Sequence, residues 1–220
     1  MKPINYMFHI ISYFVIGYMN AFFALNVVNP LKGQPPLPDI LFNILPQTTA
    51  RFSNLILLAS CTYFLIRMYK SNAIPDLINL IACVNILFFV RVLTFTFTIL
   101  PPPMLNCYSA SYTDPINWNG LYYMFHQYDD TCVDIMFSGH AVYLSLMCLY
   151  LLKFSECFWE KNIAKLIYAI GIVSIVSSRI HYTSDVIIGI ALTKLVFDQY
   201  MKVSDFHITL KDIDKKSYTT

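Results

Sequence analysis

The sequence is short of charge. Only 13% of its 220 residues are Asp, Glu, Lys or Arg, where a soluble domain carries roughly a quarter. Apolar side chains fill the gap at 57%, and mean hydropathy is +0.55. Such a chain cannot wet the surface of a water-soluble globule, so it is read as an integral membrane protein. The net charge of +2 is small and no basic patch is interleaved with aromatics, so no nucleic-acid partner is expected. The six cysteines are scattered without a C-x-x-C pair, which argues against a zinc site. There is no N-x-S/T sequon. No cleavable leader is expected either, because the first apolar run is too long and no small-residue cleavage site follows it. Aromatics are plentiful at 16%, which suits belts at the two membrane interfaces.

Six apolar runs can be marked: Ile4 to Val28, Phe52 to Ile66, Leu77 to Leu100 (interrupted by Arg91), Phe137 to Leu152, Asn162 to Ser178 and Tyr182 to Met201. A span needs about 20 residues. The second, fourth and fifth runs are shorter and must borrow flanking polar residues. A five-helix bundle, with the second run lying at the interface, is the alternative. The expected fold is an all-α, multi-pass transmembrane bundle of six helices. Residues 1–202 form a single catalytic domain and 203–220 a polar cytosolic tail. Lys and Arg set the orientation. Lys2, Arg67, Lys70, Lys153, Lys161, Lys165 and the lysines from Lys202 onward fall on one side. Lys32, Arg51 and Arg179 fall on the other, and the long loop from Pro101 to Met136 has no Lys or Arg. Both termini are therefore expected in the cytosol.

Two stretches carry chemistry. In Ser138-Gly139-His140, Ser138 has the character of a helix N-cap, and the amides of the first turn suit an anion such as phosphate. In His181-Tyr182-Thr183-Ser184-Asp185, the histidine and the aspartate are four apart and would share a helix face. A carboxylate beside an imidazole fixes its tautomer and stabilises its charged form. Two histidines, one oriented by Asp and one beside an amide cradle, describe phosphoryl transfer through a phosphohistidine. The bland alternative is a pair of buried histidines bonded to backbone carbonyls. On the expected topology His140, His181, Asp185 and Arg91 all converge on the outer leaflet.

These residues resemble the sphingomyelin synthase family, within the lipid phosphate phosphatase superfamily. Pro35-Pro36-Leu37-Pro38-Asp39 resembles the family's first-loop motif. Arg91 with Thr94, Thr98, Leu100 and Pro101 resembles its third-helix motif. The Cys132 to His140 stretch resembles its C-G-D…S-G-H-T block, and His181 to Val186 its H-Y-T-x-D-V block. The resemblance implies six helices, no metal or other cofactor, and a site on the lumenal or exoplasmic face of the Golgi or plasma membrane. It implies His181 as nucleophile, oriented by Asp185. It implies His140 as the acid that protonates the departing diacylglycerol and the base that then activates ceramide. The lipid partners are a glycerophospholipid donor and a ceramide acceptor, with a homo-oligomer as a further possibility. Val133 stands where the family usually has Gly, and Ala141 where it has Thr. The N-terminal helical extension of some members has no counterpart in the runs above.

Substrate contacts are assigned to Arg91, Ser138, Gly139, Asp134 and Tyr182. For Arg91 two readings stand: a clamp on phosphate, or a structural pair with Asp39 or Asp134. Asp129, Asp130 and Asp134 with Trp118, Tyr122 and Tyr123 suit a quaternary ammonium, or are an ordinary solvated loop. Cys107 and Cys132 form either a disulfide or two thiols. The leading function is transfer of phosphocholine, or a related phospho-headgroup, from a glycerophospholipid to ceramide. The alternatives are a lipid phosphate phosphatase and a synthase of ceramide phosphoethanolamine or inositol phosphorylceramide. The phosphatase is disfavoured because the K-x-x-x-x-x-x-R-P run usual in the superfamily's hydrolases is missing and no R-P occurs. A catalytically dead lipid-binding protein would have no use for all of His140, His181 and Asp185.

Overall fold

The computed structural model describes residues 3–26, 34–103 and 136–217, with side chains over 6–24, 34–103 and 136–201. Among these residues every regular element is a helix: α1 (Pro3–Asn26), α2 (Ile40–Ile44), α3 (Ala50–Lys70), α4 (Ile74–Phe97), α5 (Gly139–Phe154), α6 (Phe158–Ser177) and α7 (Thr183–Ser217). The six apolar runs account for all but α2. The second run extends at both ends into polar residues, so α3 reaches 21 residues. With α1 and α4 it is long and apolar enough to cross a membrane, while α5 is apolar but shorter. Outward faces carry exposed Phe14, Leu58, Leu65, Phe89 and Leu166, which suits lipid rather than water.

Two elements depart from the sequence reading. The five-residue α2 has no apolar periodicity to betray it and forms because Asp39 accepts a hydrogen bond from the Leu41 amide. The last helix does not stop at Met201. No Gly or Pro follows Gly189, nothing else breaks the helix, and α7 runs to Ser217 through most of the segment read as a tail.

Short connections fold the helices back on one another. Between α3 and α4, Asn72 adopts a left-handed φ of 52°, a common way to end a helix. Pro75 and Asp76 then open α4, where a proline loses no intrahelical bond and an acid suits the helix dipole. At this end of the bundle Glu160 gathers α3 and α6. It accepts from Arg67 Nε at 2.9 Å, from Tyr63 at 2.8 Å and from Ser155. Tyr150 of α5 donates to Asp76 at 2.8 Å.

The centre of the bundle is α5, which packs on α3, α4, α6 and α7 and buries Val142, Leu144, Leu146 and Leu151. The peripheral helix α1 lies along α4. Polar side chains join these two helices. Asn85 Nδ2 donates to the His9 carbonyl at 3.0 Å and Asn20 Nδ2 to that of Phe88 at 3.3 Å, as amides inside a membrane must find partners. Tyr13 of α1 and Tyr143 of α5 join hydroxyls at 2.9 Å.

Candidate active site

The other end of the bundle holds the start of α3, the end of α4, the start of α5, the end of α6 and the start of α7. Ser138 is the N-cap of α5 and its hydroxyl accepts from the Ala141 amide at 3.3 Å. His140 is therefore on the first turn, half-buried. Its Nε2 lies 2.7 Å from Asn54 Oδ1 on α3.

His181 is not on a helix. It lies in the turn between α6 and α7, two residues before Thr183, so the shared helix face expected from the spacing of four does not form. Instead Asp185, in the first turn of α7, reaches back along its own helix. Its Oδ2 accepts from the Tyr182 amide at 3.0 Å, half of a capping box. That amide belongs to the peptide bond that follows His181. Asp185 is fully buried, and its Oδ1 has no hydrogen-bond partner. His181 is buried at 6% exposure, and its ring centre is 6.2 Å from that of His140, with the planes at 63°. The two starts are sewn together where the Ser138 amide donates to the Asp185 carbonyl at 3.2 Å.

The turn that delivers His181 is held from outside. Arg179 has φ of 55°, an uncommon value for a residue with a β-carbon. Its guanidinium donates to the Phe42 carbonyl at 3.1 Å and lies over the Phe42 ring. Asp39, which caps α2, also caps α7: its carboxylate accepts from the Thr183 amide at 2.7 Å and from the Thr183 hydroxyl at 2.8 Å. Tyr182 is buried. Its hydroxyl accepts from the Leu37 amide and donates to the Pro101 carbonyl, both at 2.9 Å, and its ring stacks on Phe42. It ties three segments together.

Arg91 is 5% exposed. Its Nε donates to the Phe137 carbonyl at 2.8 Å and its Nη1 to Asn20 Oδ1 at 3.3 Å. Both these acceptors are amide or main-chain oxygens, and the pairing with Asp134, part of one of the two readings for Arg91, lies outside the described residues. The two contacts fix the strand of chain entering α5 and set the guanidinium beside Gly139, where an added Cβ would come within 3.8 Å of Nε. The fold thus brings His140, His181, Asp185, Ser138, Gly139, Arg91 and Tyr182 together. Asp134, the aromatic and acidic loop residues from Trp118 to Asp130, Cys107 and Cys132 lie outside the described residues. Among the described residues no group of His, Cys, Asp and Glu is arranged to hold a metal ion. Sequence reasoning missed Asn54 and the capping role of Asp39. The one trace of Asn54 was a lone amide at the head of an apolar run.

Residues 131–202 match the family described as PAP2 superfamily C-terminal. The chain is 30% identical over 203 residues to phosphatidylcholine:ceramide cholinephosphotransferase 2 of Caenorhabditis elegans, covering 83% of this chain and 60% of that protein. It is 28% identical over 193 residues to phosphatidylcholine:ceramide cholinephosphotransferase 1 of Homo sapiens, with coverage of 79% and 46%. Over 190 residues it is 26% identical to sphingomyelin synthase-related protein 1 of Mus musculus, with coverage of 79% and 39%. The chain thus spans at most three-fifths of the length of these relatives. The matched PAP2 segment contains both histidines and the aspartate of the site, and the chain's apolar helices together with these similarities make it an integral membrane protein that is similar to the sphingomyelin synthases.

Proposed function

We propose that the protein is a lipid phosphotransferase that moves phosphocholine, or a related phospho-headgroup, from a glycerophospholipid to ceramide and releases diacylglycerol. The observation that carries this is the pairing of two imidazoles 6.2 Å apart, near the starts of two helices, with a buried carboxylate four residues after one of them. The names of the relatives supply the substrates.

The chemistry runs in two halves. A ring nitrogen of His181 attacks phosphorus and the P–O bond to glycerol breaks. His140 gives its proton to the departing oxygen, and diacylglycerol leaves. His140, now neutral, takes the proton of the primary hydroxyl of ceramide as that oxygen attacks the phosphohistidine, and the P–N bond breaks. Asp185 Oδ1 supports the first half. A buried acceptor without a partner costs about 1–3 kcal/mol, and a ring N–H turned toward it recovers that cost while stabilising the charged imidazole. The site end faces the lumen or exterior, on the strength of the Lys and Arg distribution, and the resemblance to the sphingomyelin synthases favours a Golgi or plasma membrane. Residues 1–202 act as the catalytic unit, followed by the polar segment 203–220.

Reconstitution with fluorescent ceramide and one glycerophospholipid at a time (choline, ethanolamine or inositol headgroup) tests the reading. The expected result is a labelled sphingolipid from one donor, with diacylglycerol released in equal amount. Headgroup phosphate released to water at a rate indifferent to ceramide would make the protein a hydrolase.

A further inference from the structure

His140 needs a fixed ring to serve as acid and then base. The ring is held from α3, by Asn54 Oδ1 at 2.7 Å from Nε2. Asn54 stands on a stretch of α3 that is itself pinned to the end of α6. Next to it, the buried Ser53 hydroxyl donates to that of Ser178 at 3.1 Å, and the Thr48 amide donates to the Ser177 carbonyl at 2.9 Å. A half-buried amide beside an apolar helix is costly unless bonded. Asn20 bonds its amide to two main-chain carbonyls, whereas the Asn54 oxygen is directed to an imidazole.

We infer that Asn54 is a positioning residue that holds His140 as the Nε2–H tautomer and so assigns proton transfer to Nδ1. The inference rests on the acid–base role proposed for His140. An amide oxygen has lone pairs and no proton, so the proton in this bond belongs to Nε2. In neutral His140 the unprotonated nitrogen is then Nδ1, which takes the proton of ceramide. In protonated His140 it is Nδ1–H that is delivered to the departing diacylglycerol oxygen, while Nε2–H stays with Asn54 throughout. The choice of an amide also has a chemical logic. A carboxylate favours the imidazolium strongly, whereas a shuttle must gain and lose its proton with comparable ease. The two histidines thus have different neighbours for different work: a neutral oxygen bonded to His140, and an acid four residues after His181.

Two measurements test this. Nitrogen NMR of histidine-labelled protein in detergent, with His140 assigned by its loss in His140→Gln, should show the Nε2–H tautomer. Asn54→Leu, of similar size but without the oxygen, should mix the tautomers. In the transfer assay Asn54→Leu should lower kcat by about 10²-fold, the scale of a misplaced catalytic group, with KM for both lipids within about twofold. Asn54→Asp, which keeps the acceptor but adds a charge that favours the imidazolium, should restore the Nε2–H tautomer and give a kcat between those of Asn54→Leu and the wild type. A wild-type kcat in Asn54→Leu would overturn the inference, as would an Nδ1–H tautomer in the wild-type protein. Equal losses in the Leu and Asp variants would reduce Asn54 to a packing residue. If His140→Ala transfers normally, the acid–base reading falls, and the spectrum alone decides the tautomer.

Discussion

Asp185 combines two tasks that different substitutions separate. Its Oδ2 caps the start of α7 through the Tyr182 amide, and its carboxylate can carry charge beside His181. Asp185→Asn keeps an oxygen for the cap and removes the charge. Transfer should fall by on the order of 10²–10⁴, the range set by orienting aspartates elsewhere, with the unfolding temperature little changed. Asp185→Ala should lose the cap as well, about 1 kcal/mol, and melt lower. A wild-type rate in Asp185→Asn would remove the carboxylate from the reaction. At this scale the sequence was informative wherever the chemistry is local. Ser138 as N-cap and His140 on the first turn could be read from neighbouring letters. The partner of His140 could not, because Asn54 lies 86 positions away. The spacing of His181 and Asp185 misled, because the helix begins only at Thr183 and the carboxylate turns back to cap it.

Between elements, the decisive contact is that of α7 with the segment entering α5. A Cβ on Gly189 would meet the Ser138 carbonyl at 3.1 Å and the Ala141 Cβ at 3.4 Å. The first of these is backbone and has little room to yield. Gly189→Ala should push the start of α5 by a few tenths of an ångström. A displacement near 1 Å costs about 10²-fold, so a loss of a few-fold is expected, and Gly189→Leu should abolish transfer and lower the unfolding temperature. Transfer rates and melting curves on the two purified variants check this, and a fully active Gly189→Leu would show that the two helix starts need not touch. The long helices were visible in sequence because apolar runs cannot hide. Their ends were not, since α3 recruits Arg51 and Arg67 through Lys70, and α7 continues through charged residues that are good helix formers. The short α2 depends on one carboxylate and has no pattern to read.

For the whole molecule, the two ends of the bundle differ in kind. One end holds the Glu160 cluster and the basic residues of α3 and α6. The other holds the histidines. On the Lys and Arg asymmetry we propose that the first is cytosolic. A tag at Lys216 should therefore be digested by protease added outside sealed microsomes, and a tag within residues 108–119 should survive. The reverse pattern would turn the site toward the cytosol.

The ties that close the histidine end also fix when it can exist. Asp39 and Leu37 find their partners in Thr183 and Tyr182, 144 and 145 positions later, and Phe42 receives Arg179 from 137 positions away. A ribosome delivers the first loop long before the residues that hold it. Throughout the synthesis of α3 to α6 the carboxylate of Asp39 has only α2 to cap, and the Ser138 amide lacks the Asp185 carbonyl. The candidate site is thus completed only after α6 has been made. A nascent chain stalled at the end of α6 contains His140 and Asn54 but neither His181 nor Asp185, so on the proposed mechanism an incomplete copy in the membrane is unable to break down the phospholipids that surround it.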